Sequence, residues 1–361
     1  MFTPADHLHM AHALRLAERG LYTTTPNPRV GCVIVRDERV IAEGYHERAG
    51  LAHAEVVALS AAGEHARGAT AYVSLEPCSH QGRTPPCADA LIQAGVARVV
   101  AAMEDPNPQV KGQGLARLRA AGIATACGLL EAEAHELNIG FVSRMRRGRP
   151  WLRIKTAASL DGRTALNNGV SQWITSEAAR RDGHRWRARS CAVMVGVGTL
   201  LADNPRLTVR DVASSRQPLR IVVDRDLQIP LDAAVLEGGH ALVATAQRHN
   251  EKTAQLEERG VTVLHIPGAN GKVDLAALMR ELAARELNEV LVESGNRLNG
   301  ALMQAGVVDE LIVYLAPHLL GDSARGMFDL GVLTALDQRR ELEVCEVRRI
   351  GPDLRIVARM A

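Results

Sequence analysis

Short apolar runs alternate with segments of helical periodicity along the first part of the chain. The pattern predicts a helix over residues 6–19, followed by two strands around a polar turn at 36–39. Because helices and strands continue to alternate after this hairpin, the pattern favours an α/β sandwich with helices on the faces of one sheet. The predicted elements after the first helix are strands over 30–35, 40–45, 69–75 and 97–103 and helices over 53–62, 88–94 and 114–121.

A polar, basic segment, Arg144 to Pro150, interrupts this alternation and predicts a connection between two domains. Strand signals restart at Trp151, after which the chain again mixes apolar runs with helical periodicity. We therefore predict a second α/β domain, with domain limits of 1–147 and 148–361. Its predicted strands cover 191–195, 219–223, 240–244, 289–292 and 310–315, and its predicted helices cover 176–189 and 275–285.

Composition supports a folded protein of two domains. The chain has 361 residues, of which 47% are hydrophobic and 23% are charged, whereas disordered chains are poor in hydrophobic residues. A net charge of +2 provides no strong attraction to polyanions. No apolar run reaches the ~20 residues that span a bilayer, and residues 1–10 lack the pattern of a secretory signal. We therefore expect a soluble, cytoplasmic protein with no membrane partner.

Four residues with metal and proton chemistry fall near the ends of predicted elements. His53 opens one predicted helix, Cys78 follows a predicted strand, and Cys87 directly precedes the next helix. One imidazole and two thiolates suit Zn²⁺ and leave a fourth position for water, whereas structural zinc sites normally have four protein ligands. Glu55 can take a proton from this water, whose pKa zinc lowers to about 7, and return it to the substrate. His-x-Glu alone is a weak pattern, and a solvated surface carboxylate is the alternative for Glu55.

The loop between the two cysteines distinguishes one group of zinc deaminases. Deaminases of bases and nucleotides usually separate the cysteines by two residues, but here eight residues stand between them. The runs PCSHQGRTPPC at 77–87 and TPNPRVGCV at 25–33 resemble the deaminase domain of bifunctional riboflavin-biosynthesis deaminase/reductases. By this resemblance, Asn27 and His80 are candidate substrate contacts and Arg83 is a candidate phosphate contact. A turn residue for Asn27 and a solvated loop arginine for Arg83 are the alternatives.

The second half carries motifs of the same family's reductase domain. Residues 155–163 read KTAASLDGR, residues 171–176 read SQWITS, and residues 196–210 read GVGTLLADNPRLTVR. At 292–295 the chain reads VESG, where the family has a glycine in place of Ser294. The resemblance implies a fold similar to dihydrofolate reductase and NADPH binding without the Gly-x-Gly-x-x-Gly fingerprint, which this half lacks. The implied cofactor-binding residues are Ala157, Trp173, Thr199, Asp203, Gly295, Asn296, Arg297, Leu298, Asn299, Gly300 and Ala301, and the implied substrate-binding residues are Ser171, Arg187, Leu207, Arg210 and Glu293.

Three basic residues of this half are candidates for chemistry. Arg187 and Arg210 would form a fork that holds a sugar phosphate, although Arg187 without the resemblance is an ordinary exposed helix arginine. Lys155 lies in a predicted strand of a chain that uses arginine almost everywhere else. We hypothesise that Lys155 orients the substrate or assists its protonation during reduction. A lysine that extends from a sheet edge into solvent is the alternative.

These observations favour a bifunctional enzyme of riboflavin synthesis, with a cytidine-deaminase-like α/β/α sandwich followed by a dihydrofolate-reductase-like α/β domain. The first domain would use Zn²⁺ to deaminate 2,5-diamino-6-(5-phosphoribosylamino)pyrimidin-4(3H)-one by hydrolysis. The second would use NADPH to reduce the ribosyl side chain of 5-amino-6-(5-phosphoribosylamino)uracil to ribityl. The resemblance also implies a dimer formed through the reductase domains.

The alternative function is a nucleic-acid base deaminase with a C-terminal RNA-binding domain. The low net charge, the aromatic content of 3% and the long cysteine loop argue against it, so we expect no nucleic-acid partner. A non-catalytic zinc scaffold is a third possibility, but it leaves Glu55 and the missing fourth ligand unexplained.

Overall fold

The computed structural model describes residues 2–80, 85–108 and 110–361. The chain forms two compact units, of which the first ends at Gly148 and the second begins at Arg149. Both units combine sheets with helices, which confirms the predicted α/β class. In the ranges described, every helix falls short of the length and apolarity that a bilayer span requires.

The first unit is built on a single five-stranded sheet. The predicted positions of its first four helices and first four strands agree closely with the structure, whereas the last strand and the last two helices were not predicted. The strands are β1 (Gly31–Arg36), β2 (Arg39–Tyr45), β3 (Thr70–Val73), β4 (Arg98–Ala101) and β5 (Ala124–Cys127), and the helices are α1 (Pro4–Glu18), α2 (Ala54–Ala62), α3 (Cys87–Ala94), α4 (Gln113–Ala120), α5 (Glu131–Leu137) and α6 (Ile139–Arg147).

The strand order β2-β1-β3-β4-β5 allows helices to cover both faces of this sheet. Alternate residues of β1 point to opposite faces, so Cys32 and Ile34 pack in a core with α2 and α3, while Val33 and Val35 pack in a core with α1. Strands β3, β4 and β5 are parallel. Their carboxyl ends therefore share one edge of the sheet, and Cys78 follows β3 there.

The basic segment before the second unit is helical as far as Arg147, which corrects the prediction that all of Arg144 to Pro150 is a connection. Arginine is a good helix former, and its charge is favourable near the negative carboxyl end of a helix. Gly148 directly follows α6, and its φ of 64° lies in the left-handed region that suits glycine after a helix. Only residues 148–150 lie outside helix and strand at this point.

The second unit is built on a nine-stranded sheet, and a separate two-stranded ribbon accompanies it. The sequence predicted six of its strands, including the one that begins at Trp151, and β9 and β12 have the predicted limits. The strands are β6 (Trp151–Ser159), β7 (Arg163–Ala165), β8 (Ala192–Gly196), β9 (Leu219–Val223), β10 (Ala241–Thr245), β11 (Val261–His265), β12 (Glu289–Val292), β13 (Glu310–Ala316), β14 (Arg325–Gly326), β15 (Leu342–Ile350) and β16 (Asp353–Met360), and the helices are α7 (Glu177–Arg189), α8 (Val197–Asp203), α9 (Asn250–Glu257), α10 (Leu275–Ala284) and α11 (Asn296–Gln304).

The order of the large sheet is β11-β10-β9-β8-β12-β6-β13-β16-β15. Neighbouring strands of this sheet are parallel from β11 to β13. Strands β16 and β15 then pair in antiparallel orientation at one edge. Apolar side chains of β6, β8 and β12 form a core with α10 and α11. Gly196 ends β8 and Glu293 directly follows β12, so both lie at the carboxyl edge, where open α/β sheets bind ligands.

Candidate active sites

Three potential metal ligands from separate segments meet beside the first sheet. The Nδ1 atom of His53 lies 3.2 Å from the Sγ atom of Cys87 and 3.7 Å from the Sγ atom of Cys78. Within the described residues, this is the single group of at least three His, Cys, Asp or Glu side chains whose ligand atoms all lie within 4.8 Å of one another. The structure therefore brings together the three residues that the sequence predicts as zinc ligands.

The ends of two helices position these ligands. His53 precedes α2 with an extended backbone (φ −72°, ψ 161°), so it does not follow the helical rotation that would otherwise separate it from Glu55. Cys87 is the first residue of α3, and its backbone N–H donates a hydrogen bond to the Sγ atom of Cys78 over 3.3 Å. An N–H group at a helix start favours negative charge, and it stabilises the Cys78 thiolate.

The donor set fits Zn²⁺. A tetrahedral zinc ion, with bonds of about 2.0 Å to nitrogen and about 2.3 Å to sulfur, holds these ligand atoms about 3.5 Å apart. The two observed nitrogen–sulfur separations of 3.2 and 3.7 Å lie on either side of this value. Although burial opposes it, hydrogen bonding from the side chain of Cys87, with smaller contributions from His53 and the backbone N–H of Cys87, lowers the pKa of the Cys78 thiol to about 4. This lowered pKa favours the thiolate form of Cys78, which is the form that binds zinc.

Glu55 is buried next to this ligand group, with only 3% of its surface exposed. Burial and the negative charge of Cys78 raise the pKa of its carboxyl group to about 7. Its side chain also lies within hydrogen-bonding reach of Cys87. A carboxyl group with a pKa near 7 can both accept and return a proton at neutral pH. The structure thus disfavours the alternative of a solvated surface carboxylate.

Asn27 is held at this site by His46, a residue that the sequence did not indicate. The Nδ1 atom of His46 donates to the carbonyl oxygen of Ala52 over 3.1 Å, so its Nε2 atom is an acceptor. The side-chain amide of Asn27 donates to that Nε2 atom over 3.1 Å. The ring of His46 also packs edge-on against His53, with 5.4 Å between ring centroids. This chain of contacts leaves the Oδ1 atom of Asn27 as an acceptor for a ligand.

A second residue that the sequence did not indicate is Glu76, two positions before Cys78. Its buried carboxylate accepts hydrogen bonds from four backbone N–H groups of segment 105–115, at 2.9 to 3.2 Å. A Cβ atom on Gly114 would lie 1.9 Å from the carbonyl oxygen of Pro77, so the close approach of these two segments requires glycine. Glu76 therefore anchors the start of the cysteine loop to α4. No local pattern marks it, because its partners are distant in the chain.

Two further predicted contacts of the cysteine loop differ in what the structure describes. His80 is exposed and does not belong to the metal-ligand group found in the described ranges. Its role as a loop or substrate contact stays a prediction. Arg83, the candidate phosphate contact, lies outside the described residues.

A cleft of about 2320 Å³ opens at the carboxyl edge of the second sheet. All five substrate residues predicted in the second half line it, and so do nine of the eleven predicted cofactor residues. Among the described residues, Asn299 and Gly300 do not line the cleft. Asn299 donates instead to the carbonyl oxygen of Met327 over 3.1 Å, and a Cβ on Gly300 would lie 1.9 Å from the carbonyl oxygen of Asp329. Asn299 and Gly300 therefore pack α11 against the segment that contains Met327 and Asp329.

A cluster of buried charges lies in the cleft. Arg187 donates two hydrogen bonds to Glu293, from Nε over 2.6 Å and from Nη2 over 2.9 Å. The Nζ atom of Lys155 lies 4.0 Å from Glu293. Although burial opposes it, the positive charges of Arg187 and Lys155 lower the pKa of Glu293 to about 2. Burial lowers the pKa of Lys155, which makes its ammonium group a better proton donor.

The two arginines of the predicted phosphate fork have different surroundings. Arg187 uses its remaining Nη1 atom to donate to the carbonyl oxygen of Thr208 over 2.9 Å, so Glu293 and the backbone already engage its guanidinium. Arg210 is exposed, and among the residues that the structure describes its Nη1 atom donates only to the hydroxyl of Thr208, over 3.2 Å. Of the two, Arg210 therefore has more capacity to bind a phosphate.

The turn before α11 fits a phosphate-containing cofactor. No side chain in the described ranges caps the start of α11, so its first N–H groups are available to an anion. The backbone N–H of Gly295 donates to the hydroxyl of Thr199 over 3.1 Å, which joins this turn to α8. Ser294 is not among the residues with positive φ, so replacement of the family's glycine introduces no backbone strain. Its hydroxyl donates to the Oδ1 atom of Asn299 over 2.7 Å.

Two family models match the chain. Residues 150–356 match the RibD C-terminal domain, and residues 3–103 match the cytidine and deoxycytidylate deaminase zinc-binding region. The metal-ligand group lies within the second match, and the whole cleft lies within the first.

Known proteins resemble the chain over nearly all of its length. The riboflavin biosynthesis protein RibD of Escherichia coli is 51% identical over 97% of this chain and 98% of its own. The structure of Acinetobacter baumannii RibD, form 1, is 44% identical with a TM-score of 0.93 and covers 99% of both chains. The Thermotoga maritima diaminohydroxyphosphoribosylaminopyrimidine deaminase/5-amino-6-(5-phosphoribosylamino)uracil reductase is 32% identical with a TM-score of 0.87, also over 99% of both chains.

These similarities confirm the predicted enzyme class and its cofactors, Zn²⁺ and NADPH. They do not favour the alternative of a nucleic-acid base deaminase. The chain belongs to the RibD family of riboflavin biosynthesis proteins, and it is a bifunctional deaminase and reductase.

Proposed function

We propose that residues 1–147 deaminate 2,5-diamino-6-(5-phosphoribosylamino)pyrimidin-4(3H)-one and that residues 148–361 reduce the resulting 5-amino-6-(5-phosphoribosylamino)uracil. The observation that carries this proposal is the placement of buried Glu55 beside three zinc-type ligands in one unit, with a cleft around Lys155 in the other. The proposed substrates are small phosphorylated pyrimidines rather than nucleic acids. Because such metabolites and NADPH are held inside cells, we expect the enzyme to act in the cytoplasm.

In the proposed deamination, water replaces the exocyclic amine of the pyrimidine ring. His53, Cys78 and Cys87 would hold Zn²⁺, which supplies activation of the water nucleophile. Glu55 takes a proton from the attacking water and delivers it to the ring nitrogen. The carboxyl group then assists proton transfer to the amine, which leaves as ammonia. Asn27, oriented by its hydrogen bond to His46, accepts a hydrogen bond from the pyrimidine.

In the proposed reduction, the ribosyl group opens and its first carbon is reduced. NADPH supplies the hydride, and the turn before α11 and the residues around Trp173 and Thr199 would hold it in the cleft. Lys155, which Glu293 keeps in place, orients the substrate or assists protonation of the nitrogen attached to that carbon. Arg210 contacts the substrate phosphate.

Product analysis by mass spectrometry tests the two assignments together. Without NADPH, the purified chain should convert the diaminopyrimidine amine to a carbonyl and release ammonia. With NADPH, the product should gain two further hydrogens. Deamination without reduction would contradict the role of the second unit. No conversion in either reaction, with zinc bound, would contradict both roles and would direct attention to nucleic-acid substrates.

We further propose that the chain forms a dimer through its second unit. Strand β15 is the free edge of the nine-stranded sheet, and edge strands tend to pair with other chains unless they are protected. Val344 and Val347 on this strand are 59% and 61% exposed. An exposed apolar edge of this kind is typical of a protein–protein interface.

Charge introduced on this edge should prevent dimer formation. We expect the wild-type chain to sediment as a dimer and the double variant V344E/V347E to sediment as a monomer, because two buried carboxylates would lack partners. The variant L8E places the same charge on another exposed residue (63% exposed, in α1) and should remain dimeric. A monomeric wild type or a dimeric double variant would contradict the proposal.

A further inference from the structure

The segment Leu207–Arg210 belongs to no helix or strand, and its two end residues line the substrate side of the cleft. Leu207 has a φ of 53°, in the left-handed region that a leucine rarely adopts. Since backbone polar groups need partners and this conformation is unfavourable, other interactions must hold the segment in place.

Side chains, rather than a neighbouring strand, provide these interactions for Thr208 and Val209. The side-chain amide of Gln217 hydrogen-bonds to both backbone groups of Val209, as a residue of a neighbouring strand would. Its Oε1 atom accepts from the N–H of Val209 over 2.7 Å, and its Nε2 atom donates to the carbonyl oxygen of Val209 over 3.2 Å. Arg187 donates to the carbonyl oxygen of Thr208 over 2.9 Å. Two consecutive residues of the segment are therefore fixed from outside it.

His184 provides the corresponding contact for Arg210. The backbone N–H of Arg210 donates to the Nδ1 atom of His184 over 3.1 Å, which requires that Nδ1 carry no proton. His184 lies on α7, one turn before Arg187, and only 7% of its surface is exposed. Its other ring nitrogen, Nε2, lies 3.6 Å from Asp211. Burial and the charges of Arg187 and Arg210 lower the pKa of His184 to about 4, so the ring is neutral at physiological pH.

The side chain of Arg210 is the part of this arrangement that faces a ligand. Over the described part of the chain, no carboxylate forms an ion pair with Arg210 within 4 Å, whereas Arg187 is engaged by Glu293 and by the carbonyl oxygen of Thr208. A guanidinium whose backbone is fixed but whose charge is not neutralised is a preorganised receptor for a phosphate.

We propose that His184 is a positioning residue for the reductase reaction. His184 fixes the backbone of Arg210 so that the guanidinium of Arg210 contacts the phosphate of the substrate. This inference rests on the proposed role of Arg210 in substrate binding. His184 itself takes no part in the transfer of hydrogen, so its contribution belongs to substrate binding and not to the chemical step.

The variants H184L and H184N test this role. Leucine removes the acceptor, whereas the Oδ1 atom of asparagine stands close to the position of Nδ1 and can accept the same hydrogen bond. With the full-length chain, H184L should raise the KM for 5-amino-6-(5-phosphoribosylamino)uracil about tenfold and leave kcat within about twofold. The Ki of inorganic phosphate, as a competitive inhibitor, should rise in parallel. H184N should restore both constants to within about threefold of wild type.

The variant R210Q separates this inference from the proposed function. If Arg210 binds the phosphate, R210Q raises both constants, and adding H184L to R210Q produces no further rise. A rise with R210Q but none with H184L would overturn the inference and retain the role of Arg210. An unchanged KM with R210Q would overturn both. A fall in kcat at constant KM with H184L would also overturn the inference, and H184F, which keeps a ring, repeats the test if H184L does not fold.

Discussion

Replacement of Glu55 by glutamine should lower the rate of deamination by about 10²- to 10⁴-fold. The amide keeps the size of the side chain but cannot accept a proton from the attacking water or return it to the ring nitrogen. The three zinc-type ligands do not include Glu55, so zinc content should stay at one ion per chain. Ammonia release measured under saturating substrate, together with metal analysis of the same sample, checks both expectations.

Two controls make this result specific. Reduction of 5-amino-6-(5-phosphoribosylamino)uracil by the E55Q variant should equal that of wild type, because the cleft belongs to the other unit. The variant E64Q makes the same change at an exposed position of the first unit and should deaminate normally. If E55Q retains most of its deaminase activity with zinc bound, another group moves the proton, and the proposed role of Glu55 is wrong.

Replacement of Lys155 by methionine should abolish most of the reductase activity, with a fall of about 10²- to 10⁴-fold in kcat. Methionine fills the space of the lysine stem but carries no proton and no charge. Glu293 keeps its two hydrogen bonds to Arg187, so the variant leaves no buried carboxylate without a partner and should fold normally. NADPH oxidation, followed by absorbance with the deaminated substrate, measures the loss.

The variant K155R distinguishes charge from proton transfer. Arginine keeps the positive charge near Glu293 but holds its proton far more tightly than lysine. If Lys155 assists protonation, K155R should be nearly as impaired as K155M, whereas a purely orienting role predicts partial recovery with K155R. The matched control is K111M, which makes the same change at an exposed lysine. Its reductase activity should equal that of wild type. Normal reduction by K155M would remove Lys155 from the mechanism.

Local patterns predicted most of the elements that carry the two sites, but they missed helices α8 and α11 of the cleft and the C-terminal hairpin β15–β16. Strands β9 and β12 each contain three or four apolar residues and one charged residue, since helices and neighbouring strands bury them, and such short apolar runs are visible in the sequence. Strand β15 is exposed along most of its length, and its residues show no alternation between buried and exposed positions. A strand of this kind resembles a loop in a single sequence.

The metal-ligand group was predictable because its residues occur in short motifs, whereas the residues that support it were not. His53 and Glu55 form one motif, and Cys78 and Cys87 follow prolines around a characteristic loop. Glu76 and His46 carry no such signal. Glu76 is important because backbone N–H groups of a distant segment donate to it in the folded chain. His46 is important because it joins the carbonyl oxygen of Ala52 to the side-chain amide of Asn27.

The sequence by itself determined the α/β class, the zinc-type ligands and the family, because these depend on short-range periodicity and on motifs of adjacent residues. Only the tertiary structure decided which partners surround each of the two predicted phosphate-binding arginines, Arg187 and Arg210. Arg187 and Glu293 are 106 positions apart, and they pair because α7 packs beside the end of β12. That pairing engages the guanidinium of Arg187, whereas no carboxylate of the described residues pairs with Arg210. The sequence alone could not show this, because the partners of a side chain depend on the packing of distant segments.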